Sequence, residues 1–252
     1  MMLGRLFDAL ALPASAQMER RVPKALLAEH GASSAGDRKL VDAGIERLRW
    51  RATLKPATIG VPAMTDETRD YAEIAVLTLE TRAGANAMRL ARIAHSAIPY
   101  PLILITGTAD AATISVAPKR RHERHADRFV IERLVLSPDL EEPGDEPAAA
   151  FMASLAVADL PAASLWSLYE GIIDRIEACA AARITGEFRL PANAHEAETR
   201  RRALGAHDGQ VREVARLRKA AAAEKRLSTR VALSHTITGA EAELRRLTHL
   251  LA

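Results

Sequence analysis

The densest group of side chains able to do chemistry is Lys119-Arg120-Arg121-His122-Glu123-Arg124-His125-Ala126-Asp127-Arg128, which sets five Lys or Arg against two acids. Read as a surface loop between strands, this run can hold phosphates by charge and counterion release, with Lys119, Arg120, Arg121 and Arg124 as the candidate contacts. His122 and His125 are spaced His-Glu-Arg-His rather than His-Glu-x-x-His, in which two histidines share one helix face around zinc, so no metal is expected there. A second basic group surrounds Trp50: Arg47, Arg49, Arg51 and Lys55, with Lys24 upstream. From it Lys24, Arg47, Arg51 and Lys55 join the candidate nucleic-acid contacts, while Trp50 either stacks on a base or covers a helix–sheet junction. The third group is the tail, with Arg200-Arg201-Arg202 and then Arg212, Arg216, Arg218, Lys219, Lys225, Arg226 and Arg230. Such a tail can follow a phosphate backbone, dock on an acidic partner, or form a solvated helix exterior with ion pairs such as Glu213 to Arg216.

No catalytic set emerges from the residue pattern. A metal-dependent nuclease needs carboxylates that hold magnesium beside a lysine, commonly an acid followed by acid-x-lysine on adjacent strands. Asp70, Glu73 and Glu80 lie on or near one strand, yet no Glu-x-Lys follows, and Glu187-Phe188-Arg189 only approximates it. There is no Gly-x-Ser-x-Gly elbow for a hydrolase and no Gly-x-x-x-x-Gly-Lys-Ser/Thr loop for a nucleotide motor. Cys179 is the single cysteine, so an intramolecular disulfide and a thiolate zinc site are both out of reach. It reads as a small core residue in a protein of the reducing cytoplasm, and no cofactor is expected.

The elements that must position these groups follow from periodicity. The chain has 252 residues, 27% charged, 48% hydrophobic and only 4% aromatic, which favours a helix-rich globular protein in two parts. Its net charge of +3, from 35 basic and 32 acidic residues, argues only weakly for nucleic acid. No apolar run approaches the ~18 residues of a membrane span, so no membrane is expected.

The spacing predicts a short helix ending near Gly31 and a second from the Ser33, Ser34 and Asp37 caps through Leu40, Val41, Ile45, Leu48 and Trp50, closed by Leu54-Lys55-Pro56. Strands are predicted at Ala57–Val61, Tyr71–Thr81, Leu102–Thr106, Thr113–Val116 and Phe129–Leu136, with a helix at Asn86–Ala97. Residues 1–140 thus read as an α/β or α+β domain with a mixed sheet of about five strands and three helices. Residues 141–150 read as an acidic, Pro-containing linker, and 151–252 as a helical region ending in a coiled-coil-like segment. There Leu233, Ile237, Ala240, Leu244, Leu247 and Leu251 follow a 4-3-4-3-4 spacing. Leu233, Ile237, Leu244, Leu247 and Leu251 are the expected interface, with a second copy or another protein as the expected partner.

Several segments resemble one bacterial family, the domain of unknown function 4391: Arg21-Val22-Pro23-Lys24, Trp50 to Pro62, Glu73-Ile74-Ala75-Val76-Leu77, His95-Ser96-Ala97-Ile98-Pro99-Tyr100-Pro101 and Ile173-Asp174-Arg175-Ile176-Glu177. The resemblance spans most of the chain. It implies a helical, coiled-coil-like C-terminal region and a setting beside Swi/Snf-type helicases and DNA methyltransferases in phage-defence islands. It carries no catalytic residue set. Where family members have a single His near the end of the fourth strand followed by Lys-Arg, this chain has Pro118-Lys119-Arg120-Arg121. The expected function is a non-enzymatic accessory subunit that self-associates or binds a helicase or methyltransferase and contacts DNA. The alternative is a metal-dependent nuclease of the same system.

Overall fold

The computed structural model describes residues 1–251 apart from 123, 124, 142 and 143, and only the backbone at 125–128. In chain order the elements are α1 (Met2–Ala9), β1 (Gln17–Arg21), α2 (Lys24–His30), α3 (Ala35–Gly44), β2 (Ile45–Leu54), α4 (Pro56–Ile59), β3 (Met64–Thr65), β4 (Asp70–Tyr71) and β5 (Ile74–Thr81). Then come α5 (Ala87–Ala97), β6 (Leu102–Gly107), β7 (Ala111–Val116), β8 (Lys119–His122), β9 (His125–Ile131), β10 (Val135–Leu136), β11 (Leu140–Glu141) and α6 (Glu146–Ala153). The chain ends in α7 (Leu165–Thr185), α8 (Ala194–Ala223) and α9 (Leu227–His249). It forms two compact units, residues 1–176 and 177–252, whose boundary falls inside α7.

The first unit is built on a seven-stranded mixed sheet in the order β1-β2-β5-β6-β7-β10, with β11 also on β7. All its neighbours are antiparallel except β5 and β6. A parallel pair needs a crossover, and α5 supplies it. Because side chains alternate across a strand, β5 and β6 send Leu77, Leu79, Leu102 and Leu104 to the face covered by α2, α3 and α5. The other face meets α1, whose Met2, Leu3, Leu6 and Phe7 are buried. β5 and β6 are buried along nearly their whole length, which explains their unbroken apolar runs. Tyr169 of α7 ties the sheet together: its hydroxyl donates to Leu102 O at 3.0 Å and accepts from Ala117 N–H at 2.8 Å.

The mixed sheet and the helical C-terminal region agree with the sequence reading, as do β5, α5, β6 and β7. Three predicted elements are corrected. The run Phe129–Leu136 is split between β9, paired with β8, and β10, paired with β7. Residues 45–54 form a strand, not the end of a helix; Arg47-Leu48-Arg49-Trp50-Arg51 alternates charged and apolar residues with period two, and β2 pairs along both β1 and β5. Residues 57–61 do not form a strand. Pro56 opens a single helical turn, Thr58 Oγ1 accepts from Lys55 N–H at 3.0 Å, and Gly60 ends the turn with φ of +72°. The anticipated linker at 141–150 contains the end of β11 and the start of α6, and α6 packs on α1.

In the second unit α8 and α9 fold back on each other across residues 224–226. On the stripe expected to meet another chain, Leu233, Ile237 and Leu244 are half-buried and Leu247 is buried; α9 packs along α8, where Val214 and Leu217 are buried. Leu251 packs with Ala181 and Ala203.

Replacing Tyr169 with Phe keeps the ring and orphans two buried backbone groups, Ala117 N–H and Leu102 O. The expected loss is about 2–4 kcal/mol in urea unfolding. A loss below about 0.5 kcal/mol would mean that the hydroxyl is not what joins α7 to the sheet.

Candidate functional site

The described candidate basic residues sit on α2, β2, the start of α4 and β8. In β2 the odd positions Arg47, Arg49 and Arg51 share one face, but Glu19 binds both Arg49 and Arg51, and Glu80 lies 3.7 Å from Arg47. Arg51 also stands over the Phe7 ring at 4.1 Å. Lys24 Nζ donates to Ile45 O, and burial lowers its pKa. Lys55 is exposed at the start of α4.

The described backbone of the run at 119–128 is strand rather than loop. Lys119–His122 forms β8, paired with β9 in a separate hairpin. Arg121 holds Asp70 at 3.1 Å, and Arg120 and His122 are half-buried. Arg124 lies outside the described residues, as do the side chains of His125 and Arg128. Lys119 is only 3% exposed, which removes it from any phosphate-gripping loop.

What the fold builds around Lys119 is a cavity of about 900 Å³. Residues from α2, β2, the end of α5, β8 and β9 line it, among them Leu26, Trp50, His95, Tyr100, Lys119 and Phe129. Pro99 and Pro101 stop α5 and free the carbonyls at its C-terminus. Lys119 Nζ takes up two of these, donating to Ile98 O and to Tyr100 O at 2.8 Å for the latter. A cation at a helix C-terminus also meets the negative end of its dipole. Burial nonetheless lowers the amine from 10.5 to about 7. The neutral amine still has two N–H groups, enough for both carbonyls, and protonation adds a third donor.

His95 lies beside it, fully buried and lowered to about 3 by desolvation and by the Lys119 charge, so it is neutral at physiological pH. Ser115 Oγ lies 3.4 Å from Leu104 O and 3.0 Å from His95 Nε2, with which it shares a hydrogen bond. His95 Nδ1 has no hydrogen-bond partner in the structure. Trp50 is fixed by its Nε1–H bond to Thr53 Oγ1 at 2.9 Å and meets the Tyr100 ring edge-on at 5.9 Å between centroids. Trp50 packs on the α-helical face of the sheet, as the junction reading expects, and also lines the cavity. The sequence reading missed Tyr100 and His95 as neighbours of Trp50. The available signal was the helix-breaking Pro-Tyr-Pro after His95.

At the opposite end of β5 and β6, a cavity of about 470 Å³ is lined by Glu46, Glu80, Asp110 and Arg82, among others. Glu80 is engaged by Arg47, Asp70 by Arg121, and no group of three or more His, Cys, Asp or Glu placed to hold a metal occurs among the described residues. In the second unit Arg201 bridges Glu177 at 3.1 Å and Glu198 at 2.8 Å, Arg216 binds Glu213 at 2.7 Å, and Arg218 reaches Glu241 at 2.7 Å. Around the 224–226 turn, Lys219, Lys225, Arg226 and Arg230 are all exposed, with exposed Leu227 and Val231 beside them. Cys179 is buried in α7. No helix among the described residues is long and apolar enough to cross a membrane.

These features define an α/β unit with an enclosed amine and a separate helical hairpin with a basic tip. The chain belongs to the family Domain of unknown function (DUF4391), whose model matches residues 10–244. No curated protein and no solved structure matches it.

Between about 7 and 10.5 the unfolded chain holds a proton on Lys119 that the folded chain lacks, so stability rises with pH across that window and the full penalty is present below it. The slope is at most about 1.4 kcal/mol per pH unit. In urea unfolding, wild type is therefore expected to gain on Lys119→Met between about pH 7 and pH 9.5. A difference that stays flat with pH would show that the amine titrates normally.

Proposed function

We propose that this chain is a non-enzymatic accessory subunit of a bacterial DNA-processing or anti-phage defence system, working through its helical C-terminal region. The observation that carries this reading is the tip of the α8–α9 hairpin. Four exposed cations, Lys219, Lys225, Arg226 and Arg230, surround a three-residue turn whose single acid, Glu224, accepts from the backbone N–H of Arg226 at 2.7 Å. Elsewhere on the hairpin Glu213, Glu241 and Glu243 take up Arg216, Arg218 and Arg246. The tip is where positive charge is least compensated by acids, and such a cluster attracts a phosphate backbone.

The exposed Leu227 and Val231 stand one helical turn apart beside the cations. An amphipathic surface of that kind fits a second copy of the chain or a helicase or methyltransferase subunit. The defence setting comes from the family resemblance; the association and DNA contact come from the hairpin.

Reversing Lys219, Lys225, Arg226 and Arg230 to Glu tests the reading. Wild type is expected to bind a duplex oligonucleotide in fluorescence anisotropy, with an affinity that falls steeply with salt. Losing four phosphate contacts lowers the slope of log K against log salt by about 3 to 4. Light scattering on the same samples reports whether the chain associates with itself. A duplex affinity and salt slope unchanged in the reversed variant would remove the hairpin from DNA contact.

A further inference from the structure

The cavity beside Lys119 carries a second and independent reading. Three aromatic residues line it: Trp50 of β2 and Tyr100 after α5, which meet edge-on, and Phe129 of β9. Tyr100 is 42% exposed and Trp50 half-buried, so their rings remain open to a ligand after packing in the fold. The polar groups are few and of mixed kind. Lys119 has one hydrogen left over when protonated, Glu29 is an acceptor, and Nδ1 of His95 is without a partner. His30 completes the α2 side.

A cation stands on the same face outside. Arg20 is opposite Trp50 in the β1–β2 register, so the two side chains leave the same face of the sheet, and Arg20 is exposed. Aromatic lining, a buried amine and imidazole with the exposed Glu29 beside them, and a guanidinium outside match the three parts of a nucleotide: a π-face, a polar edge and a phosphate. A purely apolar ligand would leave the Lys119 proton unmet, and a simple anion would leave the rings unused. The volume also lies within the ~300–1,000 Å³ range of small-molecule sites.

We propose that this cavity binds an unstacked nucleotide, with its base between Trp50, Tyr100 and Phe129, its acceptor atoms on Lys119 Nζ and its phosphate toward Arg20. The nucleotide is either free or part of a single strand. Neither form depends on the α8–α9 hairpin.

The test uses the full chain carrying Trp166→Phe, which leaves Trp50 as the sole tryptophan of the two in the sequence. Its emission is followed during titration with adenosine monophosphate, a short oligodeoxyadenylate and inorganic phosphate, in the presence and absence of the hairpin charge reversals. The expected result is saturable quenching by one or both nucleotide probes, unchanged by the hairpin reversals and absent with phosphate. Tyr100→Ala and Arg20→Ala, both at exposed positions and checked for an unchanged circular dichroism spectrum, are each expected to weaken binding by about tenfold, the size of one base–aromatic stack or one charged contact. Equal affinity for the two probes identifies a free-nucleotide site, and binding of the oligomer alone identifies a strand site. The proposal is overturned if neither probe quenches saturably at millimolar concentration, if phosphate alone reproduces the signal, or if Tyr100→Ala and Arg20→Ala bind as tightly as the parent.

Discussion

The parallel pairing of β5 with β6 is the constraint on which the first unit rests. Every other neighbouring pair in its main sheet is antiparallel. A hairpin cannot join parallel strands, so the chain must cross one face of the sheet and return to the same end. That return is α5, and the helix must stop abruptly if β6 is to begin in register with Ala75. Pro99 and Pro101 impose the stop. They also leave Ile98 O and Tyr100 O without helical partners, and Lys119 takes up both.

Lys119 resolves that problem, and Arg175 resolves a similar one elsewhere. Both are buried cations bonded to backbone oxygens rather than to carboxylates: Arg175 donates to Ser154 O, Gly171 O and Asp159 O. The two differ in what burial does to the charge. A guanidinium stays protonated and simply spreads its donors over three carbonyls. An ammonium with two carbonyls can release its proton and keep both bonds, and burial brings the Lys119 pKa down to about 7. The arginine–glutamate pairs around β2 behave differently again, being partly exposed and therefore contributing little to stability.

How far the sequence discloses this arrangement depends on which force sets each element. β5, α5, β6 and β7 are legible because their apolar runs and breakers are local signals that tertiary packing reinforces. Residues 45–54 were misread because Leu40, Val41, Ile45 and Leu48 satisfy a helical stripe up to the point where Arg47, Arg49 and Arg51 begin to alternate. The two periods overlap, and the shorter one wins because β2 hydrogen-bonds to neighbours on both sides. Lys119 was misread for a different reason. Next to Arg120 and Arg121 it looks like one more solvated cation, and only the distant Ile98 and Tyr100 carbonyls reveal its role. No window of local sequence contains both partners, so spacing alone could not place the cavity.

The C-terminal stripe shows the opposite limit. A spacing of Leu233, Ile237, Leu244 and Leu247 states that one face of α9 is to be covered, and the short connection at 224–226 decides that α8 covers it. Closing a three-residue turn costs far less chain entropy than recruiting a second molecule, so the intramolecular pairing forms first. What remains for another partner is the surface this pairing does not use, namely the exposed Leu227 and Val231 among the cations of the turn. Apolar periodicity therefore marks how the hairpin holds itself together, and it lapses near the turn, where Leu227 and Val231 stay exposed.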